Sequence, residues 1–236
     1  MIPIATTAVS VSGVLSPGGS IRRQKILKWF ARVSQFLAWP VLFLIFHAVF
    51  KIRLAGRANL NSARAPFVII ANHIAFYDSF LFRLALGVFT PHLPLRFMAV
   101  KIFSSRFLNL LHYLRVVDLV YGFFGVFTVV QGQGIAKGLE EAIKIIQCGG
   151  NVVMYPEGGI NKSGTIGMFK NGAAVLAKQT NVPVLPVSFR LGEREIIRKN
   201  LYINIGSPFR ALGDKTDIEN SALFKTKVEE LYLSKK

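Results

Sequence analysis

Negative charge is scarce in this sequence, sulfur scarcer still. Twelve Asp and Glu stand against 29 Lys and Arg, for a formal net charge of +17, although charged residues make up only 17% of the 236. The single cysteine, Cys148, excludes an intrachain disulfide, and no Cys/His cluster suggests a structural zinc. Cys148 precedes Gly149-Gly150 at the expected end of a helix and reads as a small buried residue rather than a nucleophile. Residues 1–20 make a poor secretory leader. They are small and polar, carry no basic residue before their weak apolar run, and are expected to be disordered. Neither an internal repeat nor an interdomain linker is visible, so the length suits one well-buried domain. No nucleic-acid-binding motif accompanies the positive charge.

Apolar residues are abundant. They form 52% of the chain, and the mean hydropathy is +0.43. An apolar chain whose charges are mostly positive suits an anionic membrane surface, and a phosphate-bearing substrate, better than DNA. Residues 36–50 are almost wholly apolar, and the run extends upstream through Ile26, Leu27, Trp29 and Phe30. Lys28 and Arg32 interrupt that extension, basic residues flank both sides, and Pro40 sits inside. About 20 apolar residues make a clean span. Residues 21–50 are therefore expected to be a membrane-associated helical segment, a hairpin or a helix lying partly in one leaflet. A buried N-terminal core helix is the alternative.

From residue 51 to 236 the pattern is α/β. Strands are expected at 66–71, 151–155, 182–189 and 201–205. Helices are expected at 79–86, around Ile135, Leu139, Ile143 and Ile146, at 172–178, and at 217–233. Pro183 and Pro186 place the third strand's prolines near its start or on an edge. Alternating strands and helices predict a mostly parallel twisted sheet flanked by helices.

Two loops carry chemistry. Asn72-His73-Ile74-Ala75-Phe76-Tyr77-Asp78 follows a strand directly. A separation of five does not place His73 and Asp78 on one helix face, but a strand-to-helix turn can fold the carboxylate back onto the imidazole. A carboxylate on one ring nitrogen fixes the tautomer and leaves the other nitrogen as a base. A buried histidine with a local hydrogen bond, or Asp78 as a mere helix cap, would leave the same trace. Tyr155-Pro156-Glu157-Gly158-Gly159 also follows a strand, and ligands gather at the carboxyl ends of strands in open α/β sheets. The run 97–127 is rich in Phe, Leu and Val and reads as an acyl-chain pocket or as ordinary core. His47, His92 and His112 lack motif partners and read as structural or interfacial.

These motifs, followed by Val182-Pro183-Val184-Leu185-Pro186-Val187, resemble the ordered blocks of the glycerolipid acyltransferase family over residues 51 to 210. The family shows N-H-x-x-x-x-D, G-x-x-x-x-x-R, P-E-G-T-R and V-P-V-x-P-V. The resemblance implies an O-acyltransferase acting on 1-acylglycerol 3-phosphate in phospholipid biosynthesis. Another acceptor (glycerol 3-phosphate or a lyso-aminolipid) and a non-catalytic lipid-binding relative are the alternatives. His73 would be the general base and Asp78 its orienter, with Asn72, Glu157, Gly158 and Gly159 on the substrate side. The donor would be acyl-CoA or acyl-carrier-protein, with no metal or other cofactor, at the cytoplasmic face of a membrane. Two blocks depart from the pattern. Gln131 stands where the second block has arginine, and Gly159-Ile160 replace the threonine and arginine of the third. A neutral amide makes no charge-assisted phosphate contact, so Lys101, Lys162 and Lys170 are the candidate substitutes. No activated Ser or Cys lies beside the base, so direct transfer is expected, without an acyl-enzyme.

Overall fold

The computed structural model describes residues 17–87, 89–100, 121–129, 134–195 and 197–234. It opens with one continuous helix, α1 (Pro17–Val49), and not a hairpin. Pro17 to Ser20, expected to lack order, form its first turn, where a proline's missing N–H costs nothing. Residues 1–16 lie outside the described set. The stretch Lys25–Val49 is long and apolar enough to cross a membrane. Its inner face, however, is tied to the domain. Ala31, Ser34, Gln35 and Phe46 are buried. The Gln35 amide donates to the carbonyl oxygens of Leu95 (2.7 Å) and Phe124 (2.9 Å) and accepts from the Leu95 N–H (3.0 Å). Ser34 donates to the Phe123 carbonyl. The buried Arg83 guanidinium donates to the Gln35 carbonyl (2.6 Å), and burial pushes its pKa down to about 10.

After α1 come β1 (Phe50–Ala55), α2 (Arg57–Ser62), β2 (Val68–Ala71), α3 (Asp78–Leu86), β3 (Leu95–Val100) and β4 (Val126–Val129). Then follow α4 (Ile135–Gln147), β5 (Asn151–Met154), α5 (Gly172–Thr180), β6 (Val184–Glu195), β7 (Arg198–Ile205) and α6 (Asp217–Leu233). The strands form one seven-stranded sheet in the order β1-β7-β6-β2-β5-β3-β4. Every pair is parallel except β6–β7, which is antiparallel. The parallel α/β expectation therefore holds, with one hairpin added.

Central strands alternate between two cores. Ile69 and Ala71 of β2 face one core with Leu81, Phe82 and Leu86 of α3. Val68 and Ile70 face the other with Leu139 of α4, Leu176 of α5 and Phe224 of α6. Both faces are covered, which is why these strands read as unbroken apolar runs. Pro186 sits inside a central strand rather than on an edge. It falls between the Val184–Phe209 bridge and the start of β7 pairing at Val187, where the ladder needs no donor. Asn181 ends α5 in the left-handed conformation. Cys148, expected to be buried, is half-buried at the end of α4, its carbonyl facing the Lys28 ammonium (3.4 Å).

The run 97–127 is partly strand. β3 and β4 pair in parallel, and Phe97 and Phe127 are buried on them. Gly125, first residue of the second block, has φ +78°, and a Cβ there would meet the Leu95 carbonyl oxygen at 2.7 Å. His92 is buried against Phe67, which lowers its pKa, and His47 stacks on Phe43. His112 lies outside the described residues.

Gln35 is the joint between α1 and the sheet. Gln35→Leu would strand an N–H and two carbonyls, and stability should fall by about 3 kcal/mol, read as a lower urea midpoint in detergent micelles.

Candidate active site

Strands β2 and β5 are parallel neighbours, with Ile70 opposite Met154. Their carboxyl ends therefore release two loops side by side, 72–77 and 155–170. The loops are bonded to each other. The His73 N–H donates to Glu157 Oε1 (3.1 Å), and the Asn161 N–H donates to the His73 carbonyl (2.7 Å). Glu157 Oε2 accepts from Asn161 Nδ2 (2.6 Å) and from the Gly167 N–H (2.9 Å). Glu157, expected on the substrate side, thus spends its carboxylate on three donors of its own chain. Its contacts hold the two loops as one body.

Within that body the pair forms as expected. His73 Nδ1 lies 2.9 Å from Asp78 Oδ2. The same oxygen accepts the backbone N–H groups of Ile74 (2.7 Å) and Ala75 (3.0 Å). Asp78 is fully buried as the first residue of α3, where the helix dipole favours negative charge. Oδ2 thus faces Nδ1 and two backbone N–H groups, an arrangement that fixes the ring's orientation with Nε2 turned away from the carboxylate. The His73 side chain is 19% exposed, so the imidazole meets the solvent side while its partner does not.

Sequence reasoning missed the floor under this imidazole. The Tyr155 ring stacks on His73, with centroids 4.1 Å apart and planes 18° from parallel. Its hydroxyl lies 3.2 Å from Ser79 Oγ, one residue after Asp78. Burial pushes the Tyr155 pKa well up; the Ser79 bond pulls the other way, and the Asp78 charge adds to the rise, so the phenol stays neutral. Tyr77 is raised by the same two causes, burial first and Asp78 second. The only signal in the sequence was an aromatic residue at the head of the third block.

The remaining site candidates divide. Asn72 is 2% exposed and exchanges two bonds with Phe189 of β6, each 2.8 Å, which clamp the end of β2 to its neighbour. Gly158 has φ +75° and lies under the Lys170 side chain, whose Nζ would be 2.5 Å from an added Cβ. Lys170 is exposed there, its backbone held by the Pro156 and Ser221 contacts. Gly159 and Lys162 are exposed, and nothing crowds Gly159. Lys101 and Gln131 lie outside the described residues. Among the described residues, no group of three or more His, Cys, Asp or Glu side chains converges on a metal position.

In Asp78→Asn, an amide oxygen can keep the two backbone donors but loses the charge. The ring ¹⁵N shifts of His73 should then report a mixture of tautomers, where the parent protein shows hydrogen on Nδ1 only.

Comparisons with known proteins bear on the family and the fold. The acyltransferase family model matches residues 51–190. The chloroplastic 1-acyl-sn-glycerol-3-phosphate acyltransferases of Brassica napus and Arabidopsis thaliana are 27% and 26% identical over 141 residues. Those matches take in 59% of this chain, but 37% and 36% of theirs. The 1-acyl-sn-glycerol-3-phosphate acyltransferase of Borreliella burgdorferi is 27% identical over 157 residues, 66% of this chain and 57% of that protein. The chain thus spans less than two thirds of the length of these curated relatives. In fold, it is similar to the crystal structure of the 1-acyl-sn-glycerophosphate (LPA) acyltransferase PlsC from Thermotoga maritima. The TM-score is 0.54, at 22% identity, over 90% of this chain and 83% of that one. With the family model covering more than half of its length, the chain belongs to the acyltransferase family.

Proposed function

We propose that the chain transfers a fatty acyl group from a thioester to the hydroxyl of a lysophospholipid. The observation that carries this reading is the Nδ1–Asp78 bond, which leaves His73 Nε2 as a base on the solvent side of the loop. Nε2 takes the proton of the acceptor hydroxyl, and the oxygen attacks the thioester carbonyl carbon. The tetrahedral intermediate collapses by breaking the C–S bond, and the imidazolium returns the proton to the departing thiolate. Tyr155 holds the ring plane through both transfers, and buried Asp78 favours the imidazolium. No covalent acyl-enzyme is needed.

The acceptor is 1-acylglycerol 3-phosphate in this reading, the substrate class in the names of the relatives. Ile160 is exposed where the block has arginine, so the cation must come from elsewhere. Lys170 over Gly158 is the described candidate. Phe76, Ile160 and Met168, all exposed, put apolar side chains on the same two loops, which favours a lipid over a water-soluble acceptor. The donor is acyl-CoA or acyl-carrier-protein.

The protein works at a membrane surface, on the cytoplasmic side where such donors are found. The reason lies in α1. Ile26, Trp29, Phe30, Leu37, Val41, Leu44, Ile45 and Val49 are all exposed along α1. Water would not tolerate so long an apolar stripe uncovered. Because the inner face is bonded to the sheet, the helix lies along the bilayer interface instead of crossing it.

His73→Ala should lower turnover by about 10³-fold or more while vesicle binding stays as in the parent. Parent-like turnover would overturn the mechanism. Lys170→Ala should raise the KM for 1-acylglycerol 3-phosphate about tenfold and leave an uncharged monoacylglycerol unaffected. Equal effects on both would remove Lys170 from the phosphate, and strong preference for another acceptor in a panel assay would reassign the substrate.

A further inference from the structure

The hairpin between β6 and β7 is longer than the sheet requires. Core packing on β6 ends at Leu191, yet the strand runs on to Glu195. The register shifts between Leu191 and Arg194 before pairing resumes with Arg194 opposite Lys199. Beyond that shift the hairpin is exposed, including Glu193, Arg194, Glu195, Ile197, Arg198 and Lys199. At its tip Ile197 is 75% exposed, an apolar side chain with no core to fill.

Its position is set by two sets of contacts. Arg198 Nη1 donates to the His47 carbonyl (3.0 Å) in the last turn of α1. Glu195 accepts from Lys51 (2.6 Å) and Arg53 (3.3 Å) of β1. The tip is thereby held beside the end of α1, where Ile45 and Val49 continue the outward apolar stripe. Around it, Lys51, Arg53, Arg194, Arg198 and Lys199 stand against Glu193 and Glu195 only. Glu195 is already engaged by Lys51 and Arg53. Of the other three cations, Arg194 donates through Nε to the Ile197 carbonyl (3.1 Å) and Arg198 to that of His47, and with Glu193 as the one remaining carboxylate the tip keeps a net positive charge.

An exposed aliphatic tip ringed by long basic side chains matches the headgroup region of a bilayer. The aliphatic group enters the apolar boundary, while the cations stay at the depth of the phosphates. We infer that the β6–β7 tip is a second point of attachment to an anionic phospholipid bilayer, with Ile197 inserted and Arg194, Arg198 and Lys199 on lipid phosphates. The inference rests on the reading of α1 as interfacial. A second attachment beside the end of α1 adds a contact off the helix axis and so limits rolling of the domain about that axis.

The test is co-sedimentation of the full chain with vesicles of phosphatidylcholine alone, or of phosphatidylcholine with phosphatidylglycerol. The parent should bind the anionic vesicles more tightly, and added salt should reduce the difference. Ile197→Asp should weaken binding to both vesicle types about tenfold. The double variant Arg194→Glu, Lys199→Glu should weaken binding to anionic vesicles at least about tenfold and erase the preference for them. Urea unfolding of each variant, unchanged from the parent, confirms that the exposed tip and not the fold was altered. Leu44→Asp on the outward face of α1 is the reference. If it loses binding while the hairpin variants bind like the parent, the hairpin inference fails and the α1 reading stands. If the parent binds neither vesicle, both fail. If it binds both equally, the anionic component is overturned.

Discussion

The candidate site depends on keeping one negative charge out of water. Asp78 is fully buried, and a buried carboxylate needs polar partners. Oδ2 finds them in the imidazole of His73 and two backbone N–H groups from the intervening turn, at the start of α3, while Oδ1 has no hydrogen-bond partner among the described residues. That demand explains why the turn folds as it does. Ile74 and Ala75 need no special side chains, because they serve the carboxylate through their backbones. Truncating the histidine disturbs one of three bonds, whereas truncating the aspartate to alanine removes the acceptor of all three.

A second carboxylate does analogous work between loops. Glu157 links the His73 backbone to Asn161 and Gly167. A Cβ at residue 167 would lie 2.7 Å from Glu157 Oε2, so a glycine there lets the loop approach closely enough for the backbone N–H to reach the carboxylate. Tyr155, two residues before Glu157, stacks on the imidazole. One loop thus supplies both the floor of the ring and the brace of its backbone. The proposed base is oriented from three sides, by Asp78 at its edge, Tyr155 at its face and Glu157 through the main chain, which restricts it to one tautomer and one plane. Such pre-orientation lowers the entropy lost on reaching a reactive geometry.

The sheet also imposes a division of the molecule. One face of α1 is committed to the domain through Gln35 and Phe46, and the other is apolar with nothing in the described chain to cover it. A helix that is apolar all round is buried either in protein or in lipid, and α1 divides its circumference between the two in the reading proposed above. Few carboxylates and many lysines and arginines complete the same logic, since a positively charged rim around apolar surface suits anionic headgroups.

How far these features were legible depended on range. Local patterns were clear in the sequence: the Ile135–Gln147 helix from its spacing, the short apolar strands β2 and β5, the stop at Asn181, and the His73–Asp78 turn, whose partners are five residues apart. β3, β4 and the long β6–β7 hairpin were not clear, because an apolar run that packs on both sides carries no period to separate strand from pocket lining. Asn72 and Glu157 also have structural partners that no local spacing announces. Those partners lie 117 and 84 residues away, and only chain pairing brings them together. Sequence by itself determined the fold class and singled out the His73–Asp78 pair, since both follow from short-range spacing. Tertiary structure alone decided that Glu157 braces the pair, that Tyr155 lies beneath it, and that α1 turns one apolar face outward. Each of those depends on which strands became neighbours, and hydrogen bonding between distant segments sets that.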